Sequence, residues 1–154
     1  MKAGDVVPDF ESLDEQGTPR TLSTLLADGP VVLFFYPAAM SGGCTVETCH
    51  FRDLSAEFAE VGAQPVGISP DGVDKQHQFA EMHTLGFPLL SDADGTIARI
   101  FGVRRRFGPL KVRRQTFVID TDSRLLTVIS SEIRMNAHAD RALEALRARP
   151  SRGT

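Results

Sequence analysis

Residues Val31–Tyr36 read VVLFFY, an unbroken apolar run that follows Asp28-Gly29-Pro30 and is closed by Pro37. It is too short to cross a membrane and shows neither alternation nor helical spacing. Its Val and Phe content fits a strand buried on both faces, and Pro37, which cannot donate to a ladder, ends it. A strand of this kind requires covering layers above and below, which points to an α/β architecture. The chain has 154 residues, enough to bury such a core in one domain without disulfide staples.

Other segments supply the remaining layers. Pro8–Leu13 and Arg20–Leu22, with Gly17 between them, suggest a small hairpin. From Thr45 onward, Phe51, Leu54, Phe58 and Val61 fall at helical spacing up to Gly62. QPVGISPDG is a second buried strand running into turn residues. Val73–His83 reads as a helix with Phe79 and Met82 inward. Pro88–Leu90 is a short strand and Thr96–Phe101 a short helix. Arg114–Asp120 and Leu125–Ser131 read as strands joined by a turn at Thr121–Arg124. Ala137–Arg149 is a closing helix with Ala139, Ala142, Leu143 and Leu146 on one face. The expectation is a single domain over 1–149 with a central mixed sheet flanked by helices, and a flexible tail at 150–154.

The two cysteines of the chain, Cys44 and Cys49, lie five positions apart in PAAMSGGCTVETCHFRD. A lone buried cysteine is ordinarily a small core hydrophobe. A zinc site wants three or four closely spaced ligands, and neither a CxxC nor an HxxxH spacing is present. Gly42-Gly43 are expected to precede a helix immediately, so that Cys44 occupies its first turn. Free N–H groups and the positive end of the helix dipole favour a thiolate there. Ser41 offers a hydroxyl three residues before the sulfur, and Pro37 stiffens the entry to the loop. On an intact helix the two cysteine Cα atoms would be about 8–9 Å apart. A disulfide needs roughly 4.4–6.8 Å. The pair therefore reads as a conditional disulfide, formed only when the first turns unwind, and the spacing disfavours a simple dithiol reductase.

FYPAAMSGGCTVETCHFRD resembles the active-site segment of the peroxiredoxins, in particular the bacterioferritin-comigratory-protein or PrxQ group. The peroxiredoxin pattern of Pro, three residues, Thr or Ser, two residues and Cys is met by Pro37, Ser41 and Cys44. The group's CTxExCxFRD context is met by Cys44-Thr45, Glu47, Cys49 and Phe51-Arg52-Asp53. Arg114, two residues before a TFVID strand, takes the place of the family's active-site arginine. The similarity runs from about Gly4 to Ala148. It implies a thioredoxin-like fold and a thiol peroxidase acting on hydrogen peroxide and organic hydroperoxides. Cys44 would be oxidised to a sulfenic acid, Cys49 would resolve it to an intramolecular disulfide, and thioredoxin or a similar dithiol reductase would recycle it. No cofactor or metal is implied, and members of the group are often monomers. Two departures stand out: Gly42 replaces a common proline, which should loosen the loop, and Ser41 replaces the commoner threonine. A one-cysteine peroxidase or redox sensor in which Cys49 does not resolve, and a thioredoxin-like disulfide reductase, are the competing readings.

A net charge of −3 gives the whole molecule no electrostatic case for nucleic acid or anionic membrane. MKAGDVVPDF has no apolar signal core, so the expected compartment is the cytoplasm. Arg104–Arg114 (RRRFGPLKVRR) is a sharp basic run, read either as a solvated loop or as a docking or steering patch for an acidic reductase or an anionic hydroperoxide. His50 is expected to be an exposed helix residue. His77, His83 and His138 suggest no constellation.

Overall fold

Val31–Phe35 forms the central strand, β3, and is buried along its whole length. Alternation of its side chains builds the two cores. Val31, Leu33 and Phe35 point to one face of the sheet and Val32, Phe34 and Tyr36 to the other. The computed structural model describes residues 1–105, 112–132 and 134–149.

In chain order the elements are β1 (Glu11–Leu13), β2 (Pro19–Thr21), α1 (Leu22–Leu26), β3, α2 (Gly42–Asp53), α3 (Ser55–Glu60), β4 (Gln64–Ser69), α4 (Val73–His83), β5 (Leu89–Ser91), α5 (Thr96–Phe101), β6 (Gln115–Ile119), β7 (Leu125–Ser130) and α6 (Met135–Ala148). They give a seven-stranded sheet in the order β2-β1-β5-β4-β3-β6-β7. The β5-β4-β3 centre is parallel, and β6 and β7 extend it antiparallel. Helices α1 and α5 cover one face through Leu22, Leu25, Leu26, Ile97 and Phe101. Helices α2, α3, α4 and α6 cover the other through Phe51, Phe58, Phe79, Ala142, Leu143 and Leu146. Among the described residues no helix is long and apolar enough to cross a membrane.

Three expectations are corrected. Residues from Thr45 to Val61 are not one helix: the chain turns at Leu54 (φ −97°, ψ 13°), where the Ser55 hydroxyl donates to Arg52 O at 2.6 Å and competes with helical bonding. Leu22 starts the short helix α1 rather than extending the hairpin. Met82 is 63% exposed, because the inward stripe of α4 runs through Gln76 and Phe79. Gln76 takes a core position since its amide is satisfied by Tyr36, Ser69 and Leu90 O. Residues 150–154, expected to be a flexible tail, lie outside the described residues.

Candidate active site

The site forms where β3 ends and α2 begins, beyond the C-terminal edge of the parallel strands. Pro37 leads the chain out of β3. The next turns are fixed by Asp71, just after β4, whose carboxylate accepts from Ala39 N at 2.6 Å and from the Ser69 hydroxyl at 2.8 Å. Met40 adopts a left-handed backbone (φ 70°), a conformation that costs a non-glycine residue about 1–2 kcal/mol. Ser41 occupies the N-cap of α2, yet its hydroxyl does not cap the helix and donates to Ala38 O at 2.8 Å.

Helix α2 starts at Gly42, so the two glycines are its first residues rather than preceding it, and Cys44 falls in its first turn as expected. The backbone N–H of Thr45 already bonds to Ser41 O, leaving the N–H groups of Gly42, Gly43 and Cys44 without an intrahelical partner. Cys44 is wholly buried. The Arg114 guanidinium, immediately before β6, donates from Nη2 to its sulfur at 3.2 Å. Gly43 packs beside this contact. A Cβ at that position would sit in van der Waals contact, 3.4 Å from Arg114 Nη2 and 3.6 Å from the Met135 methyl, so atoms beyond Cβ would compete with the arginine and the methionine for this space.

Arg114 is itself held from below. Its Nη1 donates to Glu47 Oε1 at 3.0 Å, and its backbone N–H donates to Glu132 Oε1 at 3.1 Å, an oxygen that also accepts from Arg105 at 2.7 Å. Burial favours the neutral form of Arg114, but the Glu47 and Cys44 groups beside it outweigh that and hold its pKa above the ordinary arginine value. Burial pushes the Glu47 carboxyl up to about 8, with Arg114 opposing only in part. Glu47 lies one helical turn from Cys44, on the same face of α2.

Cys49 lies half-buried on the same unbroken helix, and both thiols are free. Helical geometry keeps the two Cα atoms about 8–9 Å apart, beyond disulfide range. His50, half-buried rather than exposed, places Nε2 2.8 Å from Asp140 on α6. Of the basic run, Arg114 turns inward to the site and Arg105 is tied to Glu132, while residues 106–111 lie outside the described residues.

The structure thus joins Arg114 to Cys44 across the fold and leaves Ser41 and Pro37 on the loop that delivers Cys44. Sequence reasoning missed two residues of the cluster. In the sequence Glu47 stands out only as part of a motif, although its spacing from Cys44 puts it on that cysteine's face. His138 was read as isolated; it is wholly buried, with Nε2 3.5 Å from Glu47 Oε2. No local pattern in α6 announces that contact, because its partners come from α2, β6 and the segment after β7.

A model of the AhpC/TSA family matches residues 3–128. Peroxiredoxin Bcp of Bacillus subtilis is 36% identical over 152 residues, covering 96% of this chain and 96% of its own length. The chain belongs to the peroxiredoxin family. Among solved structures, peroxidoxin BcpB from Mycobacterium tuberculosis is similar with a TM-score of 0.94 at 63% identity, over 98% of this chain and 99% of that one. Xanthomonas campestris peroxiredoxin Q gives a TM-score of 0.82 at 31% identity, with 90% of each chain covered. This peroxiredoxin has the thioredoxin-like fold of those neighbours, and it is a thiol-dependent peroxidase of the Bcp/PrxQ kind.

Proposed function

We propose that Cys44 is the peroxidatic cysteine, that Cys49 resolves it, and that Arg114, Ser41 and Pro37 complete the site. The observation that carries this reading is the buried Arg114 guanidinium donating to the Cys44 sulfur at the N-terminus of α2. The Cys44 thiolate attacks one peroxide oxygen, the O–O bond breaks, and the leaving oxygen takes up a proton to depart as water or alcohol. Arg114 and the unpaired N–H groups of the first turn stabilise the charge that moves onto the oxygens. The Ser41 hydroxyl spends its hydrogen on Ala38 O, which leaves its oxygen free to accept from the peroxide O–H. Pro37 holds the loop at the strand end.

Cys44 becomes a sulfenic acid. After the first turns of α2 unwind, the Cys49 thiol displaces its oxygen as water and a disulfide forms. A dithiol protein such as thioredoxin then reduces the disulfide by exchange. The exposed Arg104 and Arg113 fit an acidic surface on that reductase. A cleft of about 480 Å³ beside the site, lined in part by Val46, Met135 and Ala137, supports organic hydroperoxides as substrates alongside hydrogen peroxide. The domain is read as spanning 1–149 and as acting as a monomer in the cytoplasm.

One equivalent of hydrogen peroxide added to the reduced protein, followed by intact mass, tests the cycle. The expected result is a loss of two hydrogens that is absent in Cys44→Ser and Cys49→Ser. A gain of one oxygen in the wild type would exclude Cys49 as the resolving residue, and an unchanged mass would exclude peroxide chemistry at Cys44.

A further inference from the structure

We propose that His138 is a positioning residue for the peroxide-reducing step, holding Glu47 in the orientation that aims Arg114 at the Cys44 sulfur. This rests on the thiol-peroxidase reading above and adds a residue from the C-terminal helix to it.

Hydrogen bonding fixes the state of the imidazole. Its Nε2 lies 2.8 Å from Ser131 O, a carbonyl that can only accept, so Nε2 carries a proton. Its Nδ1 lies 2.8 Å from the Thr116 hydroxyl. In the neutral ring Nδ1 is an acceptor, and the hydroxyl donates to it. Burial favours that neutral form; the bond to Ser131 opposes it and the nearby Arg114 charge reinforces it. The ring is therefore held from two sides, by β6 through Thr116 and by the residue that follows β7.

Its protonated edge faces Glu47. The Nε2–Oε2 separation is 3.5 Å, and Oε2 has no hydrogen-bond partner among the described residues, whereas Oε1 accepts from Arg114. A buried carboxyl with one oxygen unpaired has reason to rotate or shift towards any donor. The Nε2 edge of the imidazole, its proton donated to Ser131 O, lies against that oxygen at 3.5 Å. Glu47 then keeps Oε1 on Arg114 Nη1, and the same guanidinium keeps Nη2 on Cys44 Sγ. The line of contact runs Cys44, Arg114, Glu47, His138, with Thr116 and Ser131 as its fixed end. Each member is buried or sits at the edge of the core, so displacement at one end is carried to the other. Errors of about 1 Å at a reacting centre can cost roughly a hundredfold in rate.

The test is the second-order reaction of reduced protein with hydrogen peroxide, followed by stopped flow across pH, with thermal melts run alongside. His138→Leu removes both hydrogen bonds and the facing N–H. It is expected to slow the reaction by about tenfold or more and to move the pH–rate profile to higher pH, because Arg114 no longer faces the sulfur squarely. His138→Gln, whose amide N–H reaches towards the Nε2 position, is expected to recover most of the rate. Thr116→Val loosens the ring without touching Glu47 or Arg114 and is expected to slow the reaction by about threefold. It decides the matter if His138→Leu does not fold. The proposal is overturned if folded His138→Leu keeps the wild-type rate and profile. It is equally overturned if His138→Gln is as slow as His138→Leu, or if Thr116→Val is unaffected. A wild-type protein inert to peroxide would instead bring down the peroxidase reading itself, and with it the role of His138.

Discussion

From His50 to Asp53, α2 is tied to three neighbours, whereas from Gly42 to Cys49 it is held mainly through the buried Cys44–Glu47 cluster. In the later half, Phe51 is fully buried and stacks on Phe34 with ring centres 4.1 Å apart. Arg52 Nη1 donates to His83 O at 2.7 Å, and His50 meets Asp140 at 2.8 Å. The earlier half begins with two glycines and has no side-chain cap. Its threonines bond back along the helix, Thr45 to Ser41 O at 2.7 Å and Thr48 to Cys44 O at 2.5 Å, an arrangement that weakens and bends helices. Val46 in this half is 53% exposed. The helix thus has a C-terminal stem tied to β3, α4 and α6 and a first part that has no side-chain cap and is held through buried Cys44, Glu47 and Thr48, with Cys49 at the junction. A disulfide that must draw Cys44 towards Cys49 needs this division: the early turns unwind and the stem keeps its place on the core.

The largest expected effect comes from breaking the stem. Phe51→Ala should cost about 3–5 kcal/mol by leaving a cavity between Phe34 and Phe58, while Val46→Ala in the other half should stay within about 0.5 kcal/mol. Chemical denaturation compares them, and equal losses would erase the distinction between the halves. Next is Arg114→Gln, which should lower the rate of reaction with peroxide by roughly a hundredfold or more. Stopped-flow kinetics of the reduced protein would show this, and a rate near that of wild type would remove Arg114 from the site.

Glu47 gives a pH signature to the releasable turn. Wound into the helix, it faces Arg114, His138, Glu132 and Cys44, and its carboxyl sits at about 8; released, it returns towards 4.5. The wound state therefore binds the proton more tightly between those values. Its stabilising contribution is complete below the lower value and is lost as pH rises to the higher one. Conversion of the Cys44 sulfenic acid to the disulfide should accelerate with pH across this window, by at most about tenfold per pH unit from this source. Glu47→Gln should flatten that part of the slope in rapid-quench mass measurements, and an unchanged slope would exclude Glu47 as its origin. The smallest effect is expected from Gly42→Pro. Gly42 is the first helical residue, has open space around it, and follows Ser41 in an extended conformation (φ −78°, ψ 155°), all compatible with proline. The substitution should stabilise the wound turn by about 0.4–1 kcal/mol and slow disulfide formation a few-fold. Faster formation would mean that Gly42 does not loosen the turn.

Much of this was legible in the chain because the signals were local. VVLFFY announced a two-sided strand from composition alone, and the two-residue alternation of its side chains was then enforced by the cores on either face. The glycines before Cys44 announced the helix start. Met82 is hydrophobic yet exposed, because Gln76, with its amide hydrogen-bonded, holds the inward position on α4. His138 could not be read from α6, where it lies among small and charged residues. Its meaning comes from Glu47, Thr116 and Ser131, which are distant in sequence.

By itself the sequence determined the α/β architecture, the two cysteines on one helix and the separation that forbids their bond while that helix is wound. Periodicity and helical geometry depend only on neighbours along the chain, and they suffice for those conclusions. Only the tertiary structure decided that Arg114 lies on the Cys44 sulfur, that Glu47 pairs with that arginine and that buried His138 lies beside Glu47. Those are contacts between residues brought together by sheet pairing and helix packing. Their distances follow from the closed core as a whole, which no single stretch of the chain encodes.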